Sequence, residues 1–77
     1  MKMAEKMMSA VGHKVRMVDC DGVEWNGRAV GFTPYYDNEE DDEAGYNSLD
    51  LNVTNSNGEI VRYEMRESEI SSIEVID

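Results

Sequence analysis

The sequence predicts a mainly β domain in which a short N-terminal helix precedes a five-stranded antiparallel barrel. Apolar residues recur at helical spacing before Gly12 and at alternating positions after it. Five alternating segments follow at short spacing, with turn signals between them and no second helical pattern. A chain of 77 residues allows one domain, residues 1–77, and closing its strands into a barrel would remove the exposed sheet edges.

The predicted helix occupies residues 2–11, within an N-terminal unit of residues 1–12. Gly12 is a suitable stop, because glycine accepts the left-handed conformation beyond a helix end. Three helical turns are marginal alone, so this helix must pack on something. The sequence leaves open whether it packs on the barrel or serves as a partner-binding arm. Its predicted apolar face consists of Met3, Ala4, Met7, Met8 and Val11.

The first two strands are predicted to form a hairpin with a long second strand. Residues 13–20 alternate in polarity, and Asp21-Gly22 is a two-residue turn signal of the hairpin type. Residues 23–33 continue as the second strand, but their apolar residues change parity along it. Gly27 lies at the change, where a bulge or sharp bend would switch faces.

Three further strands follow the segment 34–47. Residues 48–54 alternate most clearly, and residues 59–65 alternate after a tight turn. A polar stretch at 66–69 is long enough for one helical turn or a corner, and residues 70–76 form the last strand. The predicted inward-facing residues are Val15, Met17, Leu49, Leu51, Val53, Val61, Tyr63, Met65, Ile73 and Val75.

The segment 34–47 concentrates negative charge. Acids occupy six of the seven positions from Asp37 to Glu43 and account for more than half of the net charge of −10. Such a charge repels nucleic-acid phosphates, because their binding rests largely on Lys and Arg. It favours solubility or a protein partner with a basic surface.

Two stretches resemble the motifs of the Sm-like family of SH3-type barrels. "GHKVRMVDCDGVEWNGRAVGF" (12–32) is similar to its first motif, an alternating strand, an Asp-Gly turn and a glycine-punctuated second strand. "VRYEMRESEISSIEVI" (61–76) is similar to its second motif, a strand, a tight polar corner and an isoleucine-rich last strand. The resemblance covers about residues 2–76 and implies an N-terminal helix followed by a five-stranded barrel. Family members commonly form rings through strand edges, so the resemblance also makes a homo-oligomer possible.

The chain departs from this family where the family binds RNA. Its members use an Asp-Asn segment after the second strand and an Arg-Gly corner before the last. Asp37-Asn38 stands for the first here but opens the acidic run, and Arg66 is followed by Glu67 instead of glycine. The resemblance therefore carries the fold to this chain and not the RNA binding.

No metal, cofactor or catalytic site is predicted. An EF-hand loop starting at Asp37 would need glycine at its sixth position, where Asp42 lies, and glutamate at its twelfth, where Ser48 lies. His13 is the only histidine, and no serine lies in a nucleophile elbow. Cys20 is the only cysteine and is predicted to be a half-buried structural thiol, in keeping with a cytoplasmic location. No segment approaches the 18 apolar residues of a membrane span, and Lys2, Glu5 and Lys6 interrupt any signal-peptide-like run.

The predicted function is that of a small non-enzymatic module that binds a protein with a basic surface. Tyrosines flank the acidic run, and loop-borne aromatic residues often anchor partners, although they can equally fix the loop to the barrel. One alternative is a nucleic-acid-mimicking inhibitor of a basic protein, of the type that phages and mobile elements carry. Another alternative is an oligomeric Sm-like RNA-binding protein. The predicted binding residues are Tyr35, Tyr36, Asp37, Asn38, Glu39, Glu40, Asp41, Asp42, Glu43 and Tyr46.

Overall fold

One helix and five antiparallel strands make up the computed structural model, which describes residues 2–35 and 45–77. A one-turn 3₁₀ helix (Glu67–Glu69) lies at the polar corner predicted before the last strand. The mainly β class, the N-terminal helix and the five antiparallel strands are confirmed. In chain order the elements are α1 (Met3–Ala10), β1 (Lys14–Asp19), β2 (Glu24–Thr33), β3 (Ser48–Thr54), β4 (Ile60–Arg66) and β5 (Ile70–Val75).

The strands form a sheet with the order β4-β3-β2-β1-β5, in which every neighbouring pair is antiparallel. Within the described ranges β4 and β5 are the edges and do not pair with each other, so the sheet is not closed into the predicted barrel. The helix explains how the core is completed without this closure. It packs on β2, β3 and β5 and adds the fully buried Met7 and Ala10 to the strand residues.

The helix belongs to the core of its own chain, which settles the question that the sequence left open. Met7 and Ala10 have no exposed surface, whereas Met8 is 50% exposed. The predicted apolar face was therefore wrong at Met8 and at Val11, which is 37% exposed just beyond the helix end. The buried side instead follows the three-residue step from Met7 to the smaller Ala10. Gly12 ends the helix with φ +90°, and its amide donates to the Ala29 carbonyl at 2.8 Å.

Strand β2 changes its inward parity, as predicted, but the bulge lies beyond Gly27. The register against β3 shifts between Ala29 and Gly31, so Val30 is the additional residue. Gly27 instead allows a close approach of two strands. A Cβ atom there would lie 2.4 Å from the backbone carbonyl oxygen of Asn52 on β3.

The core lies between the helix and one face of the sheet. The predicted alternation of β1 and β3 is confirmed, since Val15, Met17, Leu49 and Leu51 are fully buried. On β4, Tyr63 faces the same side but keeps 38% of its surface exposed. The buried apolar residues are Met7, Ala10, Val15, Met17, Ala29, Leu49, Leu51, Met65 and Ile70.

Candidate functional site

The acidic segment leaves the sheet at the end of β2 and returns to it at the start of β3. Tyr36, Asn38 and the six acids of 37–43 lie outside the described residues. The structure does describe the residues on both sides of the segment 36–44, and we call three of them, Tyr35, Tyr46 and Asn47, the neck. The neck is where the acidic segment joins the sheet, between β2 and β3.

Asn47 holds the two sides of the neck together. Its Oδ1 accepts a hydrogen bond from the Tyr35 amide at 2.8 Å, and its Nδ2 donates to Glu67 Oε1 at 3.0 Å. Its carbonyl oxygen also accepts from the Glu67 amide at 2.9 Å. One side chain therefore connects the end of β2, the start of β3 and the 3₁₀ turn.

Tyr46 lies against β4. The Arg66 guanidinium carbon lies 3.9 Å from the centroid of its ring, and its hydroxyl is 3.3 Å from Glu64 Oε1. A cation over an aromatic face is attracted by the quadrupole of the ring. Tyr46 is half-buried in this contact, so it helps to fix the neck to the sheet.

Tyr35 presents more surface than Tyr46. The residue is 55% exposed, while its amide is fixed by Asn47. From the sequence alone the two tyrosines are equivalent, because each flanks the acidic segment. The structure shows that their surroundings differ. Tyr35 is thus the more exposed of the two described tyrosines that flank the acidic segment.

Negative charge continues from the neck onto the neighbouring strands. Asp50 and Glu64 are cross-strand partners on β3 and β4, and Glu67 follows at the corner. Arg62 forms an ion pair with Asp50 at 2.8 Å and so compensates part of this charge. Three carboxylates of the described residues, those of Asp50, Glu64 and Glu67, therefore lie on the strands and the corner next to the neck.

A second polar cluster lies at the turn between β1 and β2. Asp19 Oδ1 accepts from the amides of Asp21 and Val23, each at 2.9 Å, and Oδ2 accepts from Trp25 Nε1 at 2.9 Å. The Trp25 ring meets the Tyr63 ring edge-on, with centroids 4.9 Å apart. The sequence did not single out Asp19, which here orients Trp25 toward β4 across the inner face.

Hydrogen bonding to Asp19 predicts an acid-dependent loss of stability. The Trp25 indole and then the Val23 amide lower the pKa of Asp19 from its ordinary value of 3.8. A carboxyl group with a lower pKa in the folded state contributes stability that is complete above the unfolded pKa and is lost as the pH falls through the folded pKa. Asp19→Asn should therefore destabilise the protein at pH 7, and the difference from wild type should shrink below about pH 4.

Urea unfolding midpoints measured from pH 7 down into this acid range test the expectation for Asp19. Asp21→Asn is the matched control, because it removes the same charge two residues away on the same exposed turn. A pH-dependent difference of equal size in Asp21→Asn would contradict the assignment to Asp19.

The described residues contain few other candidates for chemistry. His13 Nδ1 lies 3.0 Å from Asp77 Oδ1, an exposed pair, and Cys20 is exposed at the hairpin turn instead of half-buried. In residues 2–35 and 45–77, no three His, Cys, Asp or Glu side chains are grouped so that they could hold a metal ion. The only helix of eight or more residues in these ranges, α1, is too short to cross a membrane.

The neck brings two predicted site residues, Tyr35 and Tyr46, together with Asn47, Glu64 and Glu67. The sequence did not identify Asn47, although an asparagine at a strand start can accept and donate hydrogen bonds at once. Comparison with protein-family models, curated proteins and solved structures finds no match for this chain. The neck and its surroundings are therefore the basis for a functional proposal.

Proposed function

We propose that this protein is a small non-enzymatic interaction module that binds a protein with a basic surface through its acidic segment. One observation carries the proposal. The neck is tied to the sheet by Asn47, while Tyr35 keeps 55% of its surface exposed beside a sequence of six acids. A rigid attachment thus presents an accessible aromatic residue together with concentrated charge.

Both features favour protein recognition. Aromatic side chains are common energetic anchors in interfaces, and complementary charge accelerates association and selects the partner. Fixing the neck before binding reduces the entropy that ordering would cost. Tyr36 and the acids of 37–43 supply the remaining contacts in this proposal, and Tyr46 supports them from the β4 side. The partner and the module would meet in the cytoplasm.

We also infer kinship with the Sm-like barrels, without their RNA binding. The order of elements supports the kinship, because a helix, a glycine hairpin, a bulged second strand and a one-turn corner before the last strand occur in the expected sequence. Against RNA binding, the Arg66 guanidinium lies on Tyr46, and Glu67 occupies the position of the family's glycine. The same kinship makes a homo-oligomer through the edges of β4 and β5 possible, although the net charge of −10 on each copy opposes such an association.

A second candidate function is mimicry of a nucleic acid. The observation that favours it is the spread of carboxylates beyond the acidic segment, at Asp50, Glu64 and Glu67 around the neck. Carboxylates spread over a fixed surface present the repeated negative charge that a nucleic-acid-binding groove attracts. The partner would then be an inhibited nucleic-acid-binding protein.

Affinity capture with two matched baits tests the proposed function. One bait is the wild-type chain, and the other replaces the six acids of 37–43 by their amides, which keeps length and shape but removes the charge. We expect the wild type to retain at least one protein with a basic surface. Retention should disappear with the amide bait and weaken when the salt is raised from about 50 mM to about 500 mM.

Two outcomes would contradict the interaction module. The first is an identical set of retained proteins on both baits, and the second is no retained protein on either. Competition of the captured protein by duplex DNA or by RNA would favour mimicry. A direct shift of labelled U-rich RNA by the wild-type chain would favour the RNA-binding alternative.

A further inference from the structure

A second surface feature lies at the opposite end of β2 and β3 from the neck. It is a groove with a volume of about 380 Å³, within the range of ligand-binding clefts. Its position is about 20 Å along β2 from Tyr35, given the rise per residue of a strand. The residues that the argument uses are Lys14, Asn26, Arg28, Asn52, Ile60 and Ile76.

Strand register explains why these residues form one surface. Lys14 is opposite Arg28, Arg28 is opposite Asn52, and Asn52 is opposite Arg62. Partners in adjacent strands point to the same face, and the neighbours of these residues along each strand, such as Val15 and Leu51, point into the core. The row therefore crosses four strands on the outer face, with two cations next to each other.

Lys14 and Arg28 are not neutralised within the described part of the chain. No carboxylate there lies within ion-pair distance of either side chain, and Arg28 Nη1 donates only to the Gly12 carbonyl, at 2.9 Å. Asp77 acts on Arg28 at longer range, but its oxygens accept from His13 Nδ1 and the Lys14 amide. Arg16 and Arg62, in contrast, form ion pairs with Glu24, Glu74 and Asp50.

Apolar side chains lie at both ends of the groove. Ile60 is 69% exposed at the β4 end, and Ile76 is 49% exposed at the β5 end. They give the groove apolar surface at both ends. Between them the amides of Asn26 and Asn52 offer hydrogen bonds, and the stems of Lys14 and Arg28 add apolar surface.

We propose that this groove binds an extended acidic peptide of another protein, with carboxylates at Lys14 and Arg28 and an aliphatic residue at each isoleucine. From β5 to β4 the groove crosses four strand spacings, or about 19 Å, which an extended segment of about six residues would span. This site is separate from the acidic segment, and neither proposal depends on the other.

The chemistry of the lining favours a peptide over other occupants. A single-stranded nucleic acid would need aromatic platforms for its bases, and the groove residues include none. A second copy of the chain would bring a net charge of −10 toward another of −10, which opposes association. A short peptide supplies a few carboxylates at the two cations without that long-range repulsion.

Amide chemical shifts of the ¹⁵N-labelled full chain can test the proposal with two synthetic peptides. The acidic probe is acetyl-Leu-Gly-Glu-Asp-Gly-Leu-amide, and its neutral counterpart carries Gln and Asn in place of Glu and Asp. We expect the acidic probe to shift the amides around Arg28, Asn52 and Ile60, and the neutral probe to bind at least about tenfold more weakly.

Matched variants locate the binding. Lys14→Gln/Arg28→Gln should weaken the acidic probe by at least about tenfold. Lys2→Gln/Lys6→Gln removes the same charge from α1 and from the residue that precedes it, and should leave the affinity unchanged. All four side chains are exposed, so the variants should fold, which their spectra will show. The variant in which the acids of 37–43 are replaced by their amides should still bind the acidic probe. Failure of the groove proposal can therefore be distinguished from failure of the proposed function.

Four results of the binding experiments would overturn the proposal. The first is an absence of shifts at millimolar peptide, and the second is shifts outside the groove. The third is an equal loss of affinity in both double variants, and the fourth is tighter binding of a thymidine hexanucleotide than of the peptide at the same residues. Sedimentation that shows a dimer dependent on Lys14 and Arg28 would also overturn it, because the occupant would then be a second copy.

Discussion

Gly27→Ala should destabilise the protein by about 3 kcal/mol, a large part of the stability of a domain of this size. The new Cβ would lie 2.4 Å from the carbonyl oxygen of Asn52 and 3.2 Å from Leu51 Cγ. The oxygen belongs to the backbone of β3, and Leu51 is fully buried, so neither can move without disturbing the sheet. Urea unfolding followed by circular dichroism measures the change.

Gly31→Ala is the matched control for Gly27→Ala, because both glycines lie in β2 and neither has a positive φ. The nearest atom to a Cβ at Gly31 is Asp50 Oδ2, at 3.3 Å, which belongs to a side chain that can shift. Replacing a glycine also restricts the unfolded chain, which offsets part of the cost. We expect a change within about 1 kcal/mol, and equal losses in the two variants would contradict the close-approach role of Gly27.

Met7→Ala should destabilise the protein by about 3 kcal/mol, because it removes a fully buried side chain between the helix and the sheet. The neighbouring Met8→Ala makes the same chemical change at a residue that is 50% exposed. It should change the unfolding free energy by no more than about 0.5 kcal/mol. The two variants are compared by urea unfolding at one pH and temperature.

The Met7 comparison also decides what the N-terminal helix does. A helix that packs on its own sheet makes the two methionines unequal, whereas an arm reserved for a partner would leave both exposed in the isolated chain. Equal small effects of Met7→Ala and Met8→Ala would therefore contradict the packing seen in the structure.

Local pattern predicted the strands well, because each strand has one buried face. Residues 48–54 were predicted as a strand and form β3, and the burial of Leu49 and Leu51 follows from the alternation. The polar corner before β5 was also predicted. These features depend on residues that are close in sequence, where periodicity is informative.

The features that sequence could not predict depend on contacts between distant residues. β2 contains Gly27 and Gly31, and the pattern cannot tell which one allows a close approach and which one lies at a bulge. The helix buries the small Ala10 and leaves the larger Met8 exposed. The side of the helix that is buried depends on where the sheet lies, which the helical pattern does not show. Closure of the barrel depends on whether β4 and β5 meet, and α1 completes the core without this by packing on β2, β3 and β5.

The candidate site, like the fold, has features that the sequence predicts and features that depend on contacts between distant residues. The sequence identified the acidic segment and its tyrosines by composition, but Asn47 acquires its role from Tyr35 and from Glu67, 20 residues away. The groove was not predicted, because the alternation of polar and apolar residues does not show that Lys14 and Arg28 are neighbours. Strand register brings them together, and that register was not available from the alternation alone.

The two bonds made by the Asn47 side chain have a consequence for how this chain can be altered. The hydrogen bond from the Tyr35 amide to Asn47 joins the two ends of the segment 36–44. The entropic cost of closing a flexible chain segment rises only slowly with its length, by about 0.6 kcal/mol for each doubling. The scaffold can therefore accept segments of other lengths and compositions at this point. Selection, or a protein engineer, could exchange the recognition sequence while leaving the folded frame unchanged.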